Sequence, residues 1–133
     1  MKYTLIFIAL ATLITSCKKE PGIGGDAEIR GQVWSYILNG SLTGFIGDCP
    51  AEDTYVYIVY GDNTGFDKRV KTDYNGNFRF PYLYPGEYTL YVYSVDTSPD
   101  SFDSQRPIIK KVTIQKRKET IELDRFEIMS LQP

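Results

Sequence analysis

Tyr55 and Tyr57 stand two apart in one apolar run, and Tyr91 and Tyr93 stand two apart in another. Alternate side chains of a β-strand share a face, so each pair projects to one side while Val56, Ile58, Leu90 and Val92 take the other. If the two runs are sheet neighbours, the four rings form one patch. Exposed aromatic surface of that kind stacks on sugar rings or docks a partner. The same spacing has a second explanation, because cross-strand tyrosine pairs stabilise a sheet by about 0.2 to 1 kcal/mol each and need bind nothing. Other chemistry is thinner. Asp96, Asp100 and Asp103 crowd a polar stretch, but they lack a turn glycine and match no standard calcium loop, so a solvated loop is expected and no metal or cofactor is assigned. Lys110, Lys111, Lys116, Arg117 and Lys118 gather charge around one hairpin, which suits a solvated strand edge or an anionic partner. A carboxylate pair such as Asp62 and Glu52 would serve a hydrolase only if the fold brought the two together.

Composition argues against catalysis. The 133 residues contain no His, which removes the commonest general base, every Ser-His-Asp or Cys-His arrangement and most zinc chemistry. There is no nucleophile beside a base and no Gly-rich phosphate loop, so no catalytic residue is assigned and the chain is expected not to be an enzyme. With 15 basic and 17 acidic residues the net charge is −2, and nothing electrostatic favours nucleic acid. Apolar content of 42% and charged content of 24% are those of a globular chain, and the length allows one domain.

The N-terminus reads as an address. Lys2 precedes an apolar run, Leu5 to Ile14, which is too short to span about 30 Å of hydrocarbon and has the three-part form of a secretory signal. Its exit, Ile14-Thr15-Ser16-Cys17, resembles the lipobox of bacterial lipoproteins. That resemblance implies removal of residues 1–16, lipidation of Cys17 with palmitate-type chains, and residence in the bacterial cell envelope, anchored to the outer membrane. Several acyl chains at about 0.8 kcal/mol per buried CH₂ make such an anchor effectively permanent. An ordinary signal peptide with Cys17 near the cut is the alternative. Residues 17–26, with Pro21 and three Gly, are expected to form a flexible tether, and residues 27–133 the folded domain. Cys49 is then without a partner for an internal disulfide. A buried small hydrophobe is the expectation, with a free thiol or an intermolecular link as the other options.

The remainder alternates apolar and polar residues in short runs at intervals of about ten, the pattern of an all-β sandwich. Seven strands are expected: 28–36, 54–60, 68–72, 77–80, 87–95, 108–114 and 120–123. Asn75-Gly76 supplies a hairpin turn between the third and fourth. Phe126 and Ile128 continue on the opposite parity from Ile121 and Leu123, so a bulge or turn is expected near Asp124-Arg125.

Thr72-Asp73, Gly76, Phe78, Phe80, Leu83, Pro85-Gly86, Tyr88, Leu90 and Val92 form one ordered pattern over 21 positions. With Ile29, Gly31 and Val33 ahead of it, this pattern resembles the carboxypeptidase regulatory-like, or CnaB-like, domains. The resemblance implies a seven-stranded Greek-key β-sandwich of the prealbumin (transthyretin-like) type and a non-catalytic accessory or stalk role. The isopeptide bond of some CnaB-like domains is not carried over, because the first strand offers Arg30 but no Lys and the last offers no Asn. The expectation is therefore a non-enzymatic, lipid-anchored envelope module, held to the membrane through its N-terminal lipid. It would bind an envelope protein or, through the face of Tyr55, Tyr57, Tyr91 and Tyr93, a glycan.

Overall fold

Two-residue alternation of Val, Ile, Tyr and Phe favours strands that bury one side. In the computed structural model, which describes residues 18–100 and 104–132, it produces nine strands and no helix among those residues. They are β1 (Ile23–Leu38), β2 (Phe45–Pro50), β3 (Tyr55–Tyr60), β4 (Lys68–Lys71), β5 (Asn77–Leu83), β6 (Gly86–Val95), β7 (Gln105–Ile114), β8 (Thr120–Glu122) and β9 (Phe126–Leu131). Sheet one is organised around β1, whose first half pairs with β5 and parallel β8 and whose second half pairs with β2 and parallel β9. Sheet two has the order β4-β3-β6-β7 and is antiparallel throughout.

The two sheets enclose one core. Ile29, Val33, Phe78, Phe80 and Phe126 come from sheet one, and Val56, Ile58, Leu90 and Val92 from sheet two. Phe78 meets Phe80 edge-on at 6.0 Å and Phe126 in a tilted arrangement at 5.9 Å between ring centres, contacts of the inclined kind that aromatic quadrupoles favour over a face-to-face sandwich. Three buried polar residues are each satisfied locally. Thr72, for example, accepts from Thr54 N and donates to Ala51 O, tying the end of β4 to the segment that enters β3.

Several expectations need correction. Among the described residues the strands number nine rather than seven: β2 lacks alternation and is exposed along nearly its whole length, and β9 is separate from β8. The break between β8 and β9 lies where the parity slip was expected. Arg30 faces Glu122 but Val33 faces Phe126, so one extra residue is absorbed between the two strands. The Asp73-Gly76 turn is not a hairpin within one sheet, since β4 belongs to sheet two and β5 to sheet one. Asp73 holds that turn itself, its Oδ1 accepting from Asn75 N and Asn77 N, each at 2.9 Å. Only Gly76 takes a positive φ there, at 75°, with Asn75 outside that region.

The expected flexible tether is also largely structured. β1 begins at Ile23, and Gly22 is buried, its N–H donating to the Tyr88 hydroxyl and its carbonyl accepting from Tyr84 N. Glycine serves close approach here, because a Cβ on Gly25 would overlap the Leu83 carbonyl. Of the expected tether, residues 18–20 precede this docked segment and Cys17 lies outside the described residues.

Candidate binding face

Sheet two turns Val56, Ile58, Tyr88, Leu90 and Val92 into the core, so the intervening residues face outward. The β3–β6 register sets Tyr57 opposite Tyr91. Their rings stack with centroids 4.9 Å apart and planes within 5°. Tyr93 stands edge-on to both, at 5.6 Å from Tyr57 and 5.7 Å from Tyr91, and Tyr55 lies 6.2 Å from Tyr57. The four tyrosines named from the sequence are thus brought together on one face. Tyr55 and Tyr93 are the open members, at 37% and 40% exposure. Burial, and then the neighbouring Tyr93 and Tyr57 hydroxyls, push the Tyr91 phenol above its ordinary value.

Two further members were not visible in the sequence. Phe66, from the β3–β4 loop, folds back to within 4.9 Å of Tyr57 and is 48% exposed. Arg69 lies opposite Tyr57 in the β3–β4 register and places its guanidinium 4.1 Å from the centre of the Tyr55 ring. The Tyr-x-Tyr spacing identifies a strand face, but a loop residue reaches that face only through tertiary folding. On the other flank Tyr91 faces Ile109 of β7, which is 56% exposed. A groove of about 350 Å³ opens at the Tyr55 end, between Tyr57, Tyr93, Gln105 and the β9 residues Ile128 and Met129. It lies at the small end of the roughly 300 to 1,000 Å³ typical of ligand sites. The segment after Asp124 therefore borders the tyrosines without covering them. Trp34 and Tyr36 belong to sheet one, where Trp34 donates to Asp48 and Tyr36 to Glu127.

The outer face of sheet one has a different character. Glu122, Arg30, Glu28 and Arg79 form a continuous chain of ion pairs across it, Arg30 with Glu122 and Arg79 with Glu28 at 2.7 Å. A cleft of about 820 Å³ lies along this chain, and another of about 810 Å³ lies beside Lys19, Tyr84 and Arg117. The charges of both are largely engaged: Arg117 pairs with Asp26 at 3.0 Å and Lys19 sits 4.7 Å over Tyr84.

The remaining candidates disperse. Glu52 precedes β3 and Asp62 follows it, so a six-residue strand of about 3.3 Å per residue separates them and they cannot act on one atom. Asp96 caps its own turn, accepting from the Ser98 hydroxyl at 2.6 Å and Ser98 N at 2.9 Å, bonds that hold its carboxyl below the usual range. Asp103 lies outside the described residues, among which no group of three or more acidic, Cys or His side chains converges on a metal position. Lys116, Arg117 and Lys118 occupy a connection between sheets, whereas Lys110 turns away to donate to Asp124 O at 2.9 Å. Cys49 is exposed, contrary to the expected burial, because β2 is an edge strand paired among the described residues with β1 alone.

No protein-family model matches the chain, and no curated protein does. Among solved structures, a Pseudomonas aeruginosa "putative carbohydrate binding protein" is similar at 14% identity over 86% of this chain and 93% of its own, with a TM-score of 0.47. An (S)-allantoin synthase is similar at 16% identity over 80% of this chain and 43% of its own, with a TM-score of 0.44. At these identities and scores neither likeness speaks to what the chain binds.

Proposed function

We propose that this protein is a non-enzymatic glycan-binding module held at the bacterial envelope by a lipid on Cys17, and that its binding face is the outer surface of sheet two. The observation that carries the reading is the parallel stack of Tyr57 on Tyr91, extended by Tyr55, Tyr93 and Phe66 into one open platform of five rings. Sugar rings present apolar C–H faces that pack on aromatic surface, while their hydroxyls stay in water or meet polar groups at the platform's rim. We read the two sheets as a prealbumin-type Greek-key arrangement related to the carboxypeptidase regulatory-like domains. That reading is supported by the burial of Phe78, Phe80, Leu83, Tyr88, Leu90 and Val92, the positions their pattern requires.

The test is retention of the full chain, in mild detergent, on a panel of immobilised polysaccharides. Retention of the parent and its loss in Tyr91→Ala, with the circular dichroism unchanged, is the expected result. Absence of retention on every polysaccharide would overturn the glycan reading, and equal retention of Tyr91→Ala would remove the face from it. Lipidation is tested separately: Cys17→Ser should release the protein from the membrane fraction.

A second reading, docking of an envelope protein, is favoured by β2. This edge strand exposes Phe45 and Ile46 at 64% and 53%. An open apolar edge is a template for strand addition.

A further inference from the structure

The aromatic face carries two cations, of which Arg69 joins no ion pair among the described residues. Arg69 and Lys71 share its outward side, since Arg69 pairs in register with Tyr57 and Lys71 with Tyr55 while Val70 between them packs on the core. Arg69 lies 4.1 Å over Tyr55 and 6.0 Å from Phe66. Six ion pairs join the described residues, and Arg69 takes part in none of them. Lys71 lies 5.2 Å over the same Tyr55 ring and reaches Asp53 only at 3.4 Å, both partners being open to water. Across the sheet, Lys111 follows Ile109 on the same side of β7. The nearby carboxylates are engaged or displaced: Asp67 accepts from Tyr60 N and Asn63 Nδ2, and Glu87 lies at the opposite end of β6 from Tyr93.

A guanidinium held over a ring by cation–π attraction still has its N–H donors to offer to a ligand on the platform. Those donors match a carboxylate or sulfate in bidentate fashion, which a neutral hydroxyl cannot do. Resting on the reading of this face as a glycan platform, we infer that its ligand is an acidic polysaccharide. Its sugar ring packs against the open ring of Tyr93 and the outer edges of the stacked Tyr57 and Tyr91, and its anionic substituent is taken by Arg69 with Lys71 beside it.

The experiment is affinity electrophoresis of the full chain in detergent through gels containing polygalacturonate, the same polymer with its carboxyls reduced to alcohols, dextran sulfate or dextran. A charge-assisted bond predicts at least about tenfold tighter binding of an acidic polymer than of the neutral ones. Binding should weaken as salt rises. Arg69→Gln should remove most of that preference, lowering binding of the acidic polymer by at least about tenfold. Preference for polygalacturonate identifies carboxylate as the recognised group, and preference for dextran sulfate identifies sulfate. Equal binding of native and reduced polygalacturonate, abolished in Tyr91→Ala, would overturn the acidic specificity and leave the glycan platform standing. Acidic preference unchanged in Arg69→Gln would overturn the role given to Arg69. Absence of binding to all four polymers would overturn both this inference and the reading beneath it.

Discussion

The ring of Tyr57 lies parallel to that of Tyr91, 4.9 Å away across the β3–β6 pair. An aromatic pair of this kind adds about 0.5 to 1.5 kcal/mol beyond its area burial. Under the proposed glycan reading these two rings would serve both the sheet and the ligand, while Tyr93 is left more open. Tyr91→Ala should destabilise the chain by about 1 to 2 kcal/mol in urea unfolding, and Tyr93→Ala by less than about 1 kcal/mol. Both should reduce retention on a glycan. A Tyr93→Ala variant that keeps full retention would remove Tyr93 from the binding face.

Tyr88 holds the N-terminal segment to the core. Its hydroxyl accepts from Gly22 N at 2.9 Å and donates to Tyr84 O at 2.6 Å, while the ring is fully buried. Removing the hydroxyl leaves a buried N–H and a carbonyl without their partner, a loss of about 1 to 3 kcal/mol. Tyr88→Phe should show that loss in urea unfolding. Amide exchange of Gly22 should accelerate by at least about tenfold, since protection there depends on the bond. Unchanged exchange at Gly22 would mean that the Tyr84 N–H bond to the Gly22 carbonyl and the pairing of Ile23 with Leu83 hold the segment without Tyr88.

The same hydroxyl should contribute to the loss of stability at alkaline pH. Burial pushes the phenols of Tyr88 and Tyr60 above the ordinary value, with Tyr60 adding to the effect on Tyr88 and Asp67 to that on Tyr60. The folded chain thus holds these protons more tightly than the unfolded chain does. Their contribution is complete below the unfolded value of about 10 and is lost as pH rises through the raised folded values. The urea midpoint should fall steadily above about pH 10, and Tyr88→Phe should fall less steeply. Absorbance at the phenolate band should show a late-ionising fraction in the parent that shrinks in Tyr88→Phe. Parallel slopes for the two proteins would remove Tyr88 from the alkaline transition.

Local alternation made most of sheet two legible, because each of its strands buries one parity and exposes the other. The four tyrosines were readable for that reason, and so was the parity slip between Leu123 and Phe126. Gly22, Gly24 and Gly25 were misread because the same residue type provides slack in a linker and close approach in a packed strand. Composition cannot separate the two, whereas the Leu83 carbonyl against Gly25 does. Asp73 and Gly76 announced a turn without saying that it leads from one sheet to the other, since that choice is made by the core that Phe78 and Phe80 enter. Phe66 and Arg69 joined the candidate face through contacts that no short window of sequence contains.

Cys49 offers a direct check on β2. Ser35 faces it in the β1–β2 register, yet its side chain is open because β2 has a neighbour on one side only among the described residues. In a chain whose Cys17 is replaced by serine, an aromatic disulfide reagent should therefore modify the native protein about as fast as the urea-unfolded protein, and the further change Cys49→Ser should abolish that reaction. An exposed side chain with no packing role costs little to replace, so the same substitution should move stability by no more than about 0.5 kcal/mol. A thiol in a core would instead react at the rate of opening, many times more slowly, and its replacement by serine would place an unpartnered hydroxyl there at about 1 to 3 kcal/mol. Slow modification together with a loss of that size would mean that β2 is covered in solution, with Phe45 and Ile46 as the surface through which a partner covers it.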